Sequence, residues 1–121
     1  MTRQDISKLI KPTTEKIYLP GFDDDIRWEG QCVGYVKYHI QNIAPELSGN
    51  AIDWKSYINQ KEPIVGSVVV MQVGKWGHLG FVINETDDTI TVRSRNYEGK
   101  WIISDDVINK NDERILGYIT F

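Results

Sequence analysis

Apolar residues near the start of the chain recur at helical spacing: Ile6, Leu9 and Ile10 stand at i, i+3 and i+4. Thr2 can cap that helix and Pro12 ends it. A loop with Pro20, Gly21 and three consecutive aspartates follows. From Cys32 the pattern predicts a second helix, with Val33, Val36, Ile40 and Ile43 on one stripe and Pro45 closing the segment. Residues 47–50 read as a turn, and Ile52, Trp54, Tyr57 and Ile58 suggest a short third helix. After Pro63 and Gly66 the period changes. Residues 67–72 (SVVVMQ) are apolar on both faces, as in a covered strand, and His78 opens a second strand, HLGFVINE. Asp87 and Asp88 turn the chain into TITVRSRN, where Ile90, Val92, Ser94 and Asn96 share one face and Thr91, Arg93 and Arg95 the other. KWIIS and the closing ILGYITF complete the pattern. The expectation is an α+β domain: two or three helices, N-terminal in sequence, packed on an antiparallel sheet of about five strands.

Composition narrows the functional classes. A single domain over residues 1–121 fits the length, and 40% hydrophobic with 26% charged residues is ordinary for a soluble protein. Fourteen basic against seventeen acidic side chains give a net charge of −3. Bulk attraction to nucleic acid or anionic lipid is therefore not expected. No apolar run approaches the ~20 residues needed to cross a bilayer, so no membrane insertion is expected. The opening MTRQDISKLI lacks the apolar core of a signal peptide, which points to synthesis in the cytoplasm. One cysteine excludes an internal disulfide and a multi-cysteine zinc site.

That cysteine, Cys32, falls where the second helix begins. Unpaired N–H groups and the partial positive charge of a helix start favour a thiolate and can hold an oxyanion. On position alone, a lone cysteine is more often a small buried hydrophobe. A nucleophile needs a base, and there are two histidines. His39 follows Cys32 by seven residues, about 10 Å along a continuous helix at 1.5 Å per residue, beyond hydrogen-bond reach. His78, at a strand start beside Gly77, is the candidate base by elimination. Asn96 can accept the imidazole N–H and fix its tautomer, or can simply begin the turn at residues 96–99.

Several stretches taken together resemble the CHAP family of cysteine- and histidine-dependent amidohydrolases and peptidases, which is papain-like and related to the NlpC type. WEGQCVGY around Cys32 resembles its nucleophile box, and GNAIDW follows at residues 49–54. PIVGSVVVM and GHLGFV resemble the strand leading to the histidine and the histidine strand itself. ITVRSRNY stands where the family carries Glu-x-Asn-aromatic, with Ser94 in place of the glutamate. The likeness runs over residues 27–121, a catalytic core preceded by an N-terminal helix and acidic loop at 1–26.

The resemblance implies a peptidoglycan hydrolase of phage-lysin type, an amidase or endopeptidase acting on stem or bridge peptides through an acyl-enzyme. Its site would hold Cys32, His78 and Asn96 as catalytic residues, with Trp28, Gln31 and Ser94 at the substrate. It would act on the bacterial wall after release or as part of a virion. The loss of the glutamate keeps a second class open: a weak or inactive relative that binds a wall peptide or a protein partner. Some phage members hold calcium before the nucleophile. Asp23 and Asp25 have the alternating spacing for such a site, although Gly34 stands where those sites supply another aspartate. A solvated acidic loop is the other reading of the same residues. No other cofactor is implied.

Overall fold

The computed structural model describes residues 31–40, 47, 49–95 and 103–121. The expected first helix, the acidic loop with Asp23 and Asp25, Trp28, Ile43 and Asn96 lie outside the described residues. Helix α1 spans Gln31–Ile40 and a 3-10 helix spans Ala51–Tyr57. Strands β1 (Val68–Met71), β2 (His78–Glu85), β3 (Thr89–Arg95), β4 (Ile103–Asn109) and β5 (Ile115–Ile119) form one antiparallel sheet in the order β4-β3-β2-β1-β5. The fold is α+β and papain-like, as expected.

The sheet is apolar on both faces, which is why β1 reads as an unbroken apolar run. On one face α1 buries Val33, Val36 and Ile40 against Leu79, Phe81 and Ile83 of β2 and Val68 and Val70 of β1. The 3-10 helix adds Ala51 and Trp54 to the same cluster. The other face gathers Val69, Met71, Val82, Ile90, Val92, Ile108 and Tyr118. The helix expected at 52–58 is a 3-10 turn, capped where the Asn50 N–H donates to the Asp53 carboxylate at 3.0 Å. The outer edge of β5 is covered by residues 59 and 60, whose N–H groups both donate to the Tyr118 carbonyl.

The largest departure from the sequence pattern is β4. The KWIIS reading ends at Ser104, whereas the strand runs on to Asn109 through Asp105 and Asp106. Adjacent carboxylates lower strand propensity, but here each has a place. Asp105 pairs in register with Arg93, and its carboxylate takes two short hydrogen bonds from that guanidinium, at 2.6 and 2.7 Å. Arg93 is 1% exposed. Its burial on the helix-bearing face rests on this bidentate pairing.

Candidate active site

The site is built where β2 and β3 part. Their ladder begins at Phe81 opposite Arg93, leaving His78, Leu79 and Gly80 ahead of it. Val82 exchanges hydrogen bonds with Gly66 and Ser67 on the β1 side. Alternation along β2 therefore turns the N–H of Leu79 toward β3. With no ladder partner in β3, that N–H is given to the Cys32 thiol at the start of α1. The amides of Cys32 and Val33 also point at the sulfur. Three N–H groups thus converge on one sulfur, next to the residue that follows His78.

His78 emerges from a turn that leaves little latitude. Gly77 has φ +78, and a Cβ there would lie 2.6 Å from the Ile52 nitrogen. The Ile52 N–H donates to the Trp76 carbonyl at 2.8 Å, tying the 3-10 helix to this turn. Trp76 itself is 55% exposed, with the Lys75 ammonium 4.7 Å from its ring. The sequence reading passed over it. Its signal is an aromatic in a glycine-bracketed turn two residues before the histidine.

His78 Nε2 lies 2.8 Å from Ser94 Oγ, and both residues are buried. The described partner of the imidazole on β3 is therefore Ser94, the residue in the family's glutamate position. Gly80 makes the approach of the two strands possible. A Cβ there would collide with Val92 Cγ1 and lie 2.9 Å from Ser94 Cβ. Gln31 opens α1. His39 sits on the unbroken helix, edge-on to Tyr35 and Phe81 at 5.1 and 5.7 Å between ring centroids.

Electrostatics correct one expectation. Burial pushes the Cys32 thiol above its ordinary range and outweighs the three amides that favour the thiolate. The helix start alone does not ionise it. Burial also lowers His78 from 6.5 to about 4, opposed by the Asp106 carboxylate and reinforced by Arg114. At neutral pH both groups rest uncharged. Among the described residues no cluster of three or more His, Cys, Asp or Glu side chains could hold a metal ion.

The fold has counterparts among solved structures. The chain superposes on Ly7917 with a TM-score of 0.60 at 19% identity, covering 75% of this chain and 53% of that one. Ly7917 solved with the hydrolyzing product of MDP gives 0.62 at 18% identity, with the same coverage. The chain thus spans about half the length of these solved structures. At such identity the likeness speaks for the fold. No curated protein matches the chain. The CHAP domain model matches residues 21–96, a stretch that holds Cys32, the histidine strand and Ser94 and makes up more than half of the sequence. The chain belongs to the CHAP domain family.

Proposed function

We propose that this protein is a cysteine-dependent peptidoglycan hydrolase, an amidase or endopeptidase that cuts stem or bridge peptides of the bacterial wall. The observation that carries the reading is the seam itself: the thiol of Cys32 held by the amide next to His78, with the imidazole tied to Ser94. Family membership supports it, as does the structural likeness to a protein solved with the hydrolyzing product of MDP.

In this reading the reaction starts from the neutral pair. His78 takes the Cys32 proton as the sulfur attacks the amide carbon, so no standing thiolate is required. The three amides around the sulfur hold the charge as it develops. The tetrahedral oxyanion collapses, the C–N bond breaks, and the His78 imidazolium gives its proton to the leaving amine. Water then attacks the thioester with His78 again as base; the C–S bond breaks and the proton returns to sulfur. Asn96 is carried as a further partner of the imidazole, and Trp28, Gln31 and Ser94 as substrate neighbours, on the strength of the resemblance.

A second reading, a binding module without turnover, draws on one feature: Cys32 is only 5% exposed. The experiment that separates the two is digestion of purified peptidoglycan followed by mass spectrometry of new termini. New amino termini that vanish in Cys32→Ala support the enzyme. Sedimentation with wall material and no new termini from the wild type would establish the binding module instead.

A further inference from the structure

We propose that a cavity on the sheet face opposite α1 binds the side-chain ammonium of a lysine-type residue in a wall peptide, with the Tyr118 hydroxyl hydrogen-bonded to the peptide. The proposal rests on the reading of the chain as a wall hydrolase for the source of that ammonium.

The cavity encloses about 510 Å³, within the range of sites that bury a small ligand. Three stretches of chain border it: 61–63 ahead of β1, 87–88 in the β2–β3 turn, and 110–112 between β4 and β5. Residues 115–118, in β5, complete the lining. Cys32, His78 and Ser94 are not among its residues. The register sets Tyr118 opposite Val69, in the apolar cluster on the face away from the helix.

Tyr118 points to a ligand. It is 2% exposed, and among the described residues its hydroxyl has no hydrogen-bond partner. A phenol buried to this degree ordinarily finds one. Burial raises its pKa, helped by the nearby carboxylates of Glu62 and Glu85, so the group keeps its proton and stands at the cavity as a donor.

The charge around the border gives the ligand its sign. Lys110 is held by Glu85 and Asp112 by Arg114, each at 2.8 Å. Glu62, Asp87, Asp88 and Lys61 form no ion pair among the described residues, which leaves three negative charges against one positive. A metal ion needs oxygens that converge on a point, and among the described residues no such cluster exists. Carboxylates spread around a border suit an ammonium on a flexible stem. Ile115 and Leu116 offer that stem an apolar surface. A free polyamine, fully protonated at neutral pH, brings only donors and leaves the phenol proton without an acceptor. A peptide brings carbonyl oxygens that accept it.

The test uses the 15N-labelled wild-type chain and reads binding rather than turnover. Titration with Nα-acetyl-lysine methylamide at low salt is expected to shift the amides of residues 87–88 and 115–118 saturably, and added salt should weaken the binding. The Nε-acetylated compound, which has lost the charge, should give no saturable shift. Asp87→Asn together with Asp88→Asn should weaken binding about five-fold. Tyr118→Phe, which keeps the ring, should weaken it about three-fold. Shifts confined to the amides around Cys32 and His78, equal binding of the Nε-acetylated compound, or a folded double variant of unchanged affinity would overturn the proposal. Pentane-1,5-diamine binding as tightly as the lysine compound, with no loss in Tyr118→Phe, would overturn the assignment to a peptide. If the lysine compound binds as expected but the wild type releases no new termini from wall, the cavity keeps its ligand and the hydrolase reading falls.

Discussion

Cys32 is subject to two opposed influences, amides that favour its anion and burial that opposes it, and burial wins. A resting thiol has a measurable signature. Iodoacetamide should alkylate Cys32 in the free protein at neutral pH no faster than an ordinary cysteine thiol, with the rate climbing through the alkaline range. A fast neutral-pH reaction would reveal a thiolate already formed and overturn the neutral-pair mechanism. Turnover should vanish in Cys32→Ser, because the hydroxyl of a residue at this site lacks the acidity and nucleophilicity of sulfur. The two histidines should also part ways: His78→Ala abolishes hydrolysis, while His39→Ala, in its aromatic surround on the far part of α1, retains most of it. Equal losses in two folded variants would place the base elsewhere. On β3, Ser94→Ala should cost about ten-fold in rate, near 1.4 kcal/mol at the transition state, because it removes the Nε2 partner seen at 2.8 Å. A smaller loss there than from Asn96→Ala would return the weight to the asparagine.

Two glycines and one ion pair hold the elements in the arrangement the site needs. Gly77→Ala combines a left-handed φ with a clash against the backbone of residue 52, so it should cost about 2 kcal/mol and displace His78. Gly80→Ala should separate β2 from β3 and lengthen the His78–Ser94 bond. Its kcat/KM should fall more than its stability does, as rate assays beside urea titrations would show. Asp105→Ala strands a buried guanidinium and should destabilise by about 3 kcal/mol. These features differ in how far the sequence disclosed them. The bounds of β2 were readable to the residue, because a glycine precedes it, a polar turn follows, and its apolar run is long. The continuation of β4 was not, since the partner that neutralises Asp105 lies twelve positions away and only the register joins them. Arg93 and Arg95 share the strand face opposite Ile90 and Val92, and the alternation alone does not show that both are buried. The candidates for nucleophile and base, Cys32 and His78, came from residue type and neighbouring glycines. The Ser104–Asp106 pair, which straddles the end of the expected KWIIS strand, was not legible.

At the scale of the whole molecule, the fold holds two neutral histidines: His39 on the helix against Tyr35 and Phe81, and His78 against Ser94. Both are lowered from 6.5 to about 4, with burial the leading cause. In the unfolded chain each takes up its proton near pH 6.5; in the folded protein each does so only near pH 4. Between these limits the unfolded state binds more protons, so stability must fall as the pH falls. The contribution is complete above about 6.5, declines through the window, and is exhausted near 4. Each unit of separation corresponds to about 1.4 kcal/mol per group. Acidification from pH 6 to pH 5 should therefore remove roughly 2–3 kcal/mol through the pair, a large share of the 5–15 kcal/mol typical of a small domain. Urea midpoints measured at pH 7, 6 and 5 should drop steeply over the last step, and His39→Gln should roughly halve that drop. A midpoint that stays level from pH 7 to pH 5 would mean that neither histidine is kept neutral by the fold. The neutral-pair mechanism at Cys32 would then lose its base in the resting state it assumes.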